Sequence, residues 1–161
     1  MATIKDLLQD DLIIENIAAT DKVGVLREFA GHLQTQGKIE SGNNLVRVLT
    51  EREALGSTGI GDGVAIPHGR LSGATEIIMA FGRSAWGVDY DSLDAKPVFL
   101  FFLLVTPEDR PGDYLQTLAR ISRILKNSKL RTRLMQASGR KEIWNILVEE
   151  DSKYPQPLAL K

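Results

Sequence analysis

The run Val-Phe-Leu-Phe-Phe-Leu-Leu-Val at positions 98–105 holds eight apolar residues with no polar interruption. A strand of that composition is buried on both faces, so the rest of the chain has to cover two sides of the sheet that contains it. The run is far short of the ~20 residues needed to cross a bilayer, and direct membrane insertion is excluded. A length of 161 residues with 43% hydrophobic and 25% charged side chains suits one domain with a real core. That domain is expected over residues 1–150. Residues 151–161 are expected to form a flexible tail, because the closing segment has two prolines and no periodicity.

Helical periodicity appears on both sides of the apolar run. Thr20 or Asp21 caps a helix in which Val23, Leu26, Phe29, Ala30 and Leu33 share a face, ended by Gly37. Ser41 opens a second helix carrying Leu45, Val48 and Leu49, which runs to about residue 53. Strand-like segments follow at 64–66, 76–83, 87–91 and 98–105. Asp113 with Gln116 three residues later resembles a capping box, opening a helix with Leu115, Leu118, Ile121, Ser122 and Leu125. Two more helices are expected at 128–136 and 138–149, with Leu130, Leu134, Ile143, Trp144 and Leu147 as their apolar contacts. Helices, then strands, then helices predict an α/β domain with helices covering a mixed sheet.

The 20 basic and 21 acidic side chains nearly cancel, leaving no electrostatic footprint for nucleic acid. Zero cysteines remove disulfides, thiol catalysis and thiolate metal sites. Acidic residues in the first eleven positions interrupt the apolar stretch that a signal peptide needs, so a cytoplasmic setting is expected. Two separated histidines offer no metal-binding spacing, and no metal or organic cofactor is expected.

Chemistry concentrates at positions 51–69, Glu-Arg-Glu-Ala-Leu-Gly-Ser-Thr-Gly-Ile-Gly-Asp-Gly-Val-Ala-Ile-Pro-His-Gly. A neutral imidazole has a nucleophilic ring nitrogen near neutral pH, so His68 is the candidate phosphoryl acceptor. Pro67 biases Ile66 to an extended conformation, which delivers His68 at the exit of a short strand. Gly69 is expected to leave room around the ring. Gly56, Ser57, Thr58 and Gly59 supply a loop that can approach a phosphate closely and offer hydroxyl donors, with Gly61 and Gly63 extending it. The loop is neither a P-loop nor a dinucleotide fingerprint.

Arg52 falls on the same helical face as Leu45, Val48 and Leu49, where a core-facing arginine needs an anionic partner. A basic residue in the last turn can also snorkel outward and complement the helix dipole, but the position just before the glycine loop favours a phosphoryl contact, which a planar guanidinium suits. Tyr114 is a secondary candidate, its hydroxyl near a helix N-terminus. His32 is expected on the surface. Glu108, Asp109 and Asp113 are expected to be solvated turn and cap residues.

The stretch Leu55-Gly-Ser-Thr-Gly-Ile-Gly-Asp-Gly-Val-Ala-Ile-Pro-His-Gly closely resembles enzyme IIA domains of the fructose and mannitol class of the bacterial phosphoenolpyruvate-dependent phosphotransferase system, particularly the nitrogen-related PtsN branch. The resemblance covers about residues 3 to 150. It implies a three-layer α/β/α sandwich, His68 as phosphoacceptor at Nε2, and Arg52 as the arginine that contacts the phosphoryl group. It also implies a donor, the carrier HPr or its nitrogen-branch counterpart. One position departs from the pattern: Tyr114 stands where the family commonly has a second histidine. A phenol of pKa near 10 can donate a hydrogen bond but cannot exchange protons at neutral pH as histidine does.

The expected function is a regulatory phosphocarrier, whose partner is a transporter or sensor kinase by family expectation. The chain ends soon after the IIA-like region without an appended IIB-like cysteine or membrane segment. The alternatives are a sugar-uptake IIA component that passes phosphate to a separate IIB protein, and a binding module that never carries phosphate.

Overall fold

A computed structural model describes residues 3–154. The elements in chain order are α1 (Ile4–Leu7), β1 (Leu8–Ile14), α2 (Lys22–Thr35), α3 (Gly42–Ala54), β2 (Gly59–Gly61), β3 (Val64–Ala65), β4 (His68–Arg70), β5 (Ile78–Val88), β6 (Val98–Thr106), α4 (Pro111–Leu125), α5 (Ser128–Gln136) and α6 (Arg140–Ser152). The sheet is mixed, ordered β1-β5-β6-β3-β2, with β4 also paired to β6. β5 and β6 are antiparallel, whereas β3 and β4 both run parallel to β6.

β6 is the central strand that the apolar run predicts. Leu100, Phe102 and Leu104 join the core beneath α4, α5 and α6, while Phe101, Leu103 and Val105 join the core beneath α2 and α3. Each of these six side chains, fully or almost fully buried, contributes roughly 1.5–3 kcal/mol. Helices therefore cover both faces, and the three-layer α/β/α expectation holds.

Asp21 and Ser41 cap α2 and α3 through their side chains, as expected. Other boundaries differ for local physical reasons. Helices do not come first: apart from the four-residue α1, the chain opens with β1, an edge strand beside β5 whose Gln9, Asp10 and Asp11 break the alternation. The segments 76–83 and 87–91 are one strand, β5, which ends at Val88 after a register shift. Gly87 at φ +87 lies within that shift, tight against Phe99 and Pro97. In α2 the inward valine is Val25, while Val23 stands 44% exposed. α4 begins two residues before Asp113, because Pro111 occupies its first turn, and there is no capping box. α6 continues to Ser152, and Asp151 is buried in an ion pair with Arg120. Residues 151–154 thus belong to the packed structure, and the remainder of the expected tail lies outside the described residues.

Candidate functional site

His68 opens β4 rather than closing a strand. β3 stops at Ala65, the chain turns through Ile66 and Pro67, and His68 then pairs with Leu104 of β6. In parallel strands registered neighbours point to the same face, which puts the imidazole on the α4 side of the sheet beside Leu104. Gly69, on the opposite face, serves a different purpose from the one expected: a Cβ there would lie 2.6 Å from Val48 Cγ1, so its absence lets β4 pack against α3.

The two ring nitrogens have different partners. Nδ1 lies 2.7 Å from the Ile66 carbonyl oxygen, which can only accept, so Nδ1 carries the proton. Nε2 then holds the lone pair and accepts from Arg52 Nε at 3.2 Å. His68 as a residue is 9% exposed. Burial pulls its pKa below 6.5, and the Arg52 charge acts in the same direction, while the Ile66 hydrogen bond and the Glu53 charge oppose the fall. The neutral, nucleophilic form is therefore favoured.

Arg52 sits in the last turn of α3, half-buried. Its Nε donates to His68 Nε2, and its Nη1 donates to the Gly56 carbonyl at 3.0 Å. Gly56 adopts φ +141, a conformation that side chains rarely allow. The other loop residues face their own neighbours. Ser57 Oγ accepts from Gly59 N at 3.1 Å and from Lys22 Nζ at 3.4 Å. Thr58, only 3% exposed, donates its N–H to Glu53 Oε1 at 3.0 Å and its hydroxyl to Glu53 Oε2, with Tyr90 Oη 3.1 Å away. Gly59 lies in β2 without positive φ, and a Cβ there would meet Ser92 Cα at 2.9 Å. The structure thus brings His68, Arg52 and Tyr114 together, with Gly56 attached through its carbonyl, whereas Thr58 and Gly59 secure the loop.

Tyr114, in the first turns of α4, places its ring 5.4 Å from the His68 ring at an interplanar angle of 57°. Burial raises its pKa, with Arg52 and Arg70 opposing. The Arg70 guanidinium lies over the Tyr114 ring at 5.8 Å. Arg70 is a residue the sequence reading missed; two positions after His68 on one strand, it shares that residue's face. Lys22, Glu53 and Tyr90 were missed as well. His32 is not a free surface residue: its Nε2 donates to the Asp11 carbonyl at 2.7 Å and staples α2 to β1. Glu108, Asp109 and Asp113 are exposed, as expected.

Among the described residues, no group of three or more His, Cys, Asp or Glu side chains is placed to hold a metal ion. No helix among them is long and apolar enough to cross a membrane. A crevice of about 620 Å³ between the α2–α3 connection and residues 71–78 does not include His68.

Comparison with known proteins gives a consistent assignment. The family described as "Phosphoenolpyruvate-dependent sugar phosphotransferase system, EIIA 2" matches residues 6–150. The nitrogen regulatory protein of Bradyrhizobium diazoefficiens is 35% identical over 145 residues, covering 89% of this chain and 94% of that protein. The fructose-specific EIIABC component of Bacillus subtilis is 34% identical over 148 residues, which span 92% of this chain but only 23% of that protein's length. Among solved structures, the nitrogen regulatory protein IIA-Ntr from Neisseria meningitidis superposes with a TM-score of 0.83 at 34% identity, covering 89% of this chain and 98% of that one. IIA mannitol from Escherichia coli shares the fold, with a TM-score of 0.72 at 19% identity over 87% of this chain and 98% of that one. On this fold and these matches, the chain belongs to the type 2 EIIA family of the phosphoenolpyruvate-dependent sugar phosphotransferase system.

Proposed function

We propose that this protein is a cytoplasmic histidine phosphocarrier in which His68 Nε2 accepts a phosphoryl group from phospho-HPr or its nitrogen-branch counterpart. The carrier then regulates a transporter or sensor kinase according to its phosphorylation state. The observation that carries the reading is the division of the imidazole: Nδ1–H committed to the Ile66 carbonyl, Nε2 left as the lone-pair nitrogen beneath Arg52. In the transfer step the Nε2 lone pair forms the new N–P bond while the donor's N–P bond breaks, and that electron pair returns to the donor ring. Nδ1 keeps its proton, donated to the Ile66 carbonyl, throughout. Arg52 exchanges its bond to Nε2 for bonds to the arriving phosphoryl oxygens, where a charged planar donor stabilises the spread of negative charge.

The regulatory branch is supported by relatives named nitrogen regulatory protein that match along nearly their whole length. Tyr114 supports it too, since a phenol beside the phosphohistidine lacks a second ring nitrogen for onward transfer. A sugar-uptake role, passing phosphate to a separate IIB protein, is favoured by the match to the fructose-specific component.

The test is intact mass after incubation with phosphoenolpyruvate, enzyme I and HPr or their nitrogen-branch counterparts, on wild type, His68→Ala and His68→Gln. One acid-labile phosphoryl group confined to wild type is the expected result. No addition from a demonstrably charged donor would leave a binding module that never carries phosphate. Discharge to an added IIB protein on a catalytic timescale would move the assignment to sugar uptake.

A further inference from the structure

Glu53 follows Arg52 in the last turn of α3, so the two side chains leave the helix about 100° apart. Arg52 reaches His68 Nε2. Glu53 turns inward, its side chain 5% exposed, and accepts from the Lys22 ammonium at 3.0 Å and from both the N–H and the hydroxyl of Thr58. The chain of bonds continues past Thr58. Its carbonyl accepts the Ile66 N–H at 3.0 Å, and the Ile66 carbonyl accepts the His68 Nδ1–H at 2.7 Å. One carboxylate is thereby linked to the far nitrogen of the same ring that its neighbour Arg52 holds from the near side.

The surroundings of Glu53 fit a directional role better than a filling one. Lys22 opens α2, where the helix dipole disfavours a cation, yet its ammonium stays with Glu53 and lies 5.0 Å from the centre of the buried Tyr90 ring. Apolar side chains could close the same gap without desolvating two charges. They could not fix the direction of the Thr58 N–H and hydroxyl, and the position of Ile66 depends on Thr58.

We propose that Glu53 is a positioning residue for phosphoryl transfer: through Thr58 and Ile66 it holds the His68 imidazole in its Nδ1–H tautomer with Nε2 presented to the donor. The inference rests on the reading of His68 as the phosphoacceptor and assigns Glu53 no contact with the phosphoryl group.

The test uses ¹⁵N-histidine-labelled protein in wild type, Glu53→Gln, the double variant Lys22→Met/Glu53→Leu, and Thr58→Val. The readouts are the tautomer of His68 by ¹⁵N shifts, the maximal rate and half-saturation of phosphoryl acceptance, and thermal melting. The double variant replaces the ion pair with apolar side chains and should still fold. It is expected to populate the Nε2–H tautomer and to lose about tenfold to a hundredfold in maximal rate, the scale of a misplaced reacting group, with half-saturation unchanged. Glu53→Gln keeps one acceptor for the Thr58 N–H and should recover part of the rate. Thr58→Val should move tautomer and rate in the same direction, and it decides the question if the double variant does not fold. An unchanged tautomer and maximal rate in the folded variants, whatever their melting temperature, would make Glu53 a clip for the fold and overturn the proposal. Failure of wild type to accept phosphate would instead strike the phosphocarrier reading, while the tautomer comparison would still decide whether Glu53 orients the ring.

Discussion

Arg52→Gln tests the division of labour at the imidazole, because the substitution has two opposing consequences that can be weighed. In the resting protein the Arg52 Nε–H occupies the Nε2 lone pair, which under the proposed function attacks phosphorus. Removing a charge-assisted hydrogen bond at a half-buried site relieves about 1.5 kcal/mol of ground-state stabilisation. In the transition state the guanidinium serves charge on the phosphoryl oxygens, and losing such a preorganised donor costs about 2.7–4 kcal/mol. The second effect wins by about 1.2–2.5 kcal/mol, which corresponds to a fall of about eightfold to seventyfold in the acceptance rate. Glutamine also loses the second arm of the fork, which now straps the Gly56 carbonyl at 3.0 Å. The assay is rapid-quench phosphoryl uptake from a pre-charged donor, with donor concentration varied. The loss should fall on the maximal rate. An Arg52→Gln protein that accepts phosphate as fast as wild type, or that loses only affinity for the donor, would refute the assignment of Arg52 to the transferring group.

Four further outcomes are expected. Because burial and Arg52 hold the His68 pKa below 6.5, acceptance should persist as pH falls through 6.5 and decline only below it, as read from initial rates across pH. The same shift affects stability: the unfolded chain binds the proton first, so stability should drop as pH falls from 6.5 toward the folded-state pKa, and His68→Gln should remove that component in denaturant titrations. Gly82→Ala would place a Cβ 2.5 Å from Ile17 Cδ1 and 2.8 Å from Phe29 Cζ, and this overpacking beneath α2 should cost about 1–3 kcal/mol, measured by thermal melting. Asp151→Asn leaves the buried Arg120 without its counter-charge, and a loss of about 3–5 kcal/mol in chemical denaturation is expected.

What the sequence made legible follows from how local each signal is. The apolar run of β6 and the capped helices α2 and α3 carry their own evidence, and they stand almost where the pattern put them. β1 lacks such a signal, because an edge strand with Gln9, Asp10 and Asp11 in its middle satisfies neither alternation nor a continuous apolar run. β4 is three residues long and exists only because β6 is beside it. Arg70 was missed for that reason, since its place next to Tyr114 depends on a strand that no periodicity marks. The capping-box pattern puts the start of α4 at Asp113, whereas the helix begins at Pro111, itself a strong first-turn residue.

At the site, His68 and Arg52 were visible because each breaks a pattern: a histidine after Pro67, an arginine on an apolar helical face. Glu53 breaks none. A glutamate one position past Arg52 reads as an ordinary polar residue near a helix end, and only the folded loop turns it toward Thr58 and Lys22. The same folding reverses the expected use of the Thr58 hydroxyl, which composition made a phosphate donor and geometry commits to Glu53. The loop's glycines and hydroxyls are therefore better understood through what they attach than through what they expose. Gly56 turns its carbonyl to Arg52, Thr58 hands its carbonyl to Ile66, and the imidazole is held at both nitrogens, by Arg52 in the last turn of α3 and by the Ile66 carbonyl in the turn between β3 and β4.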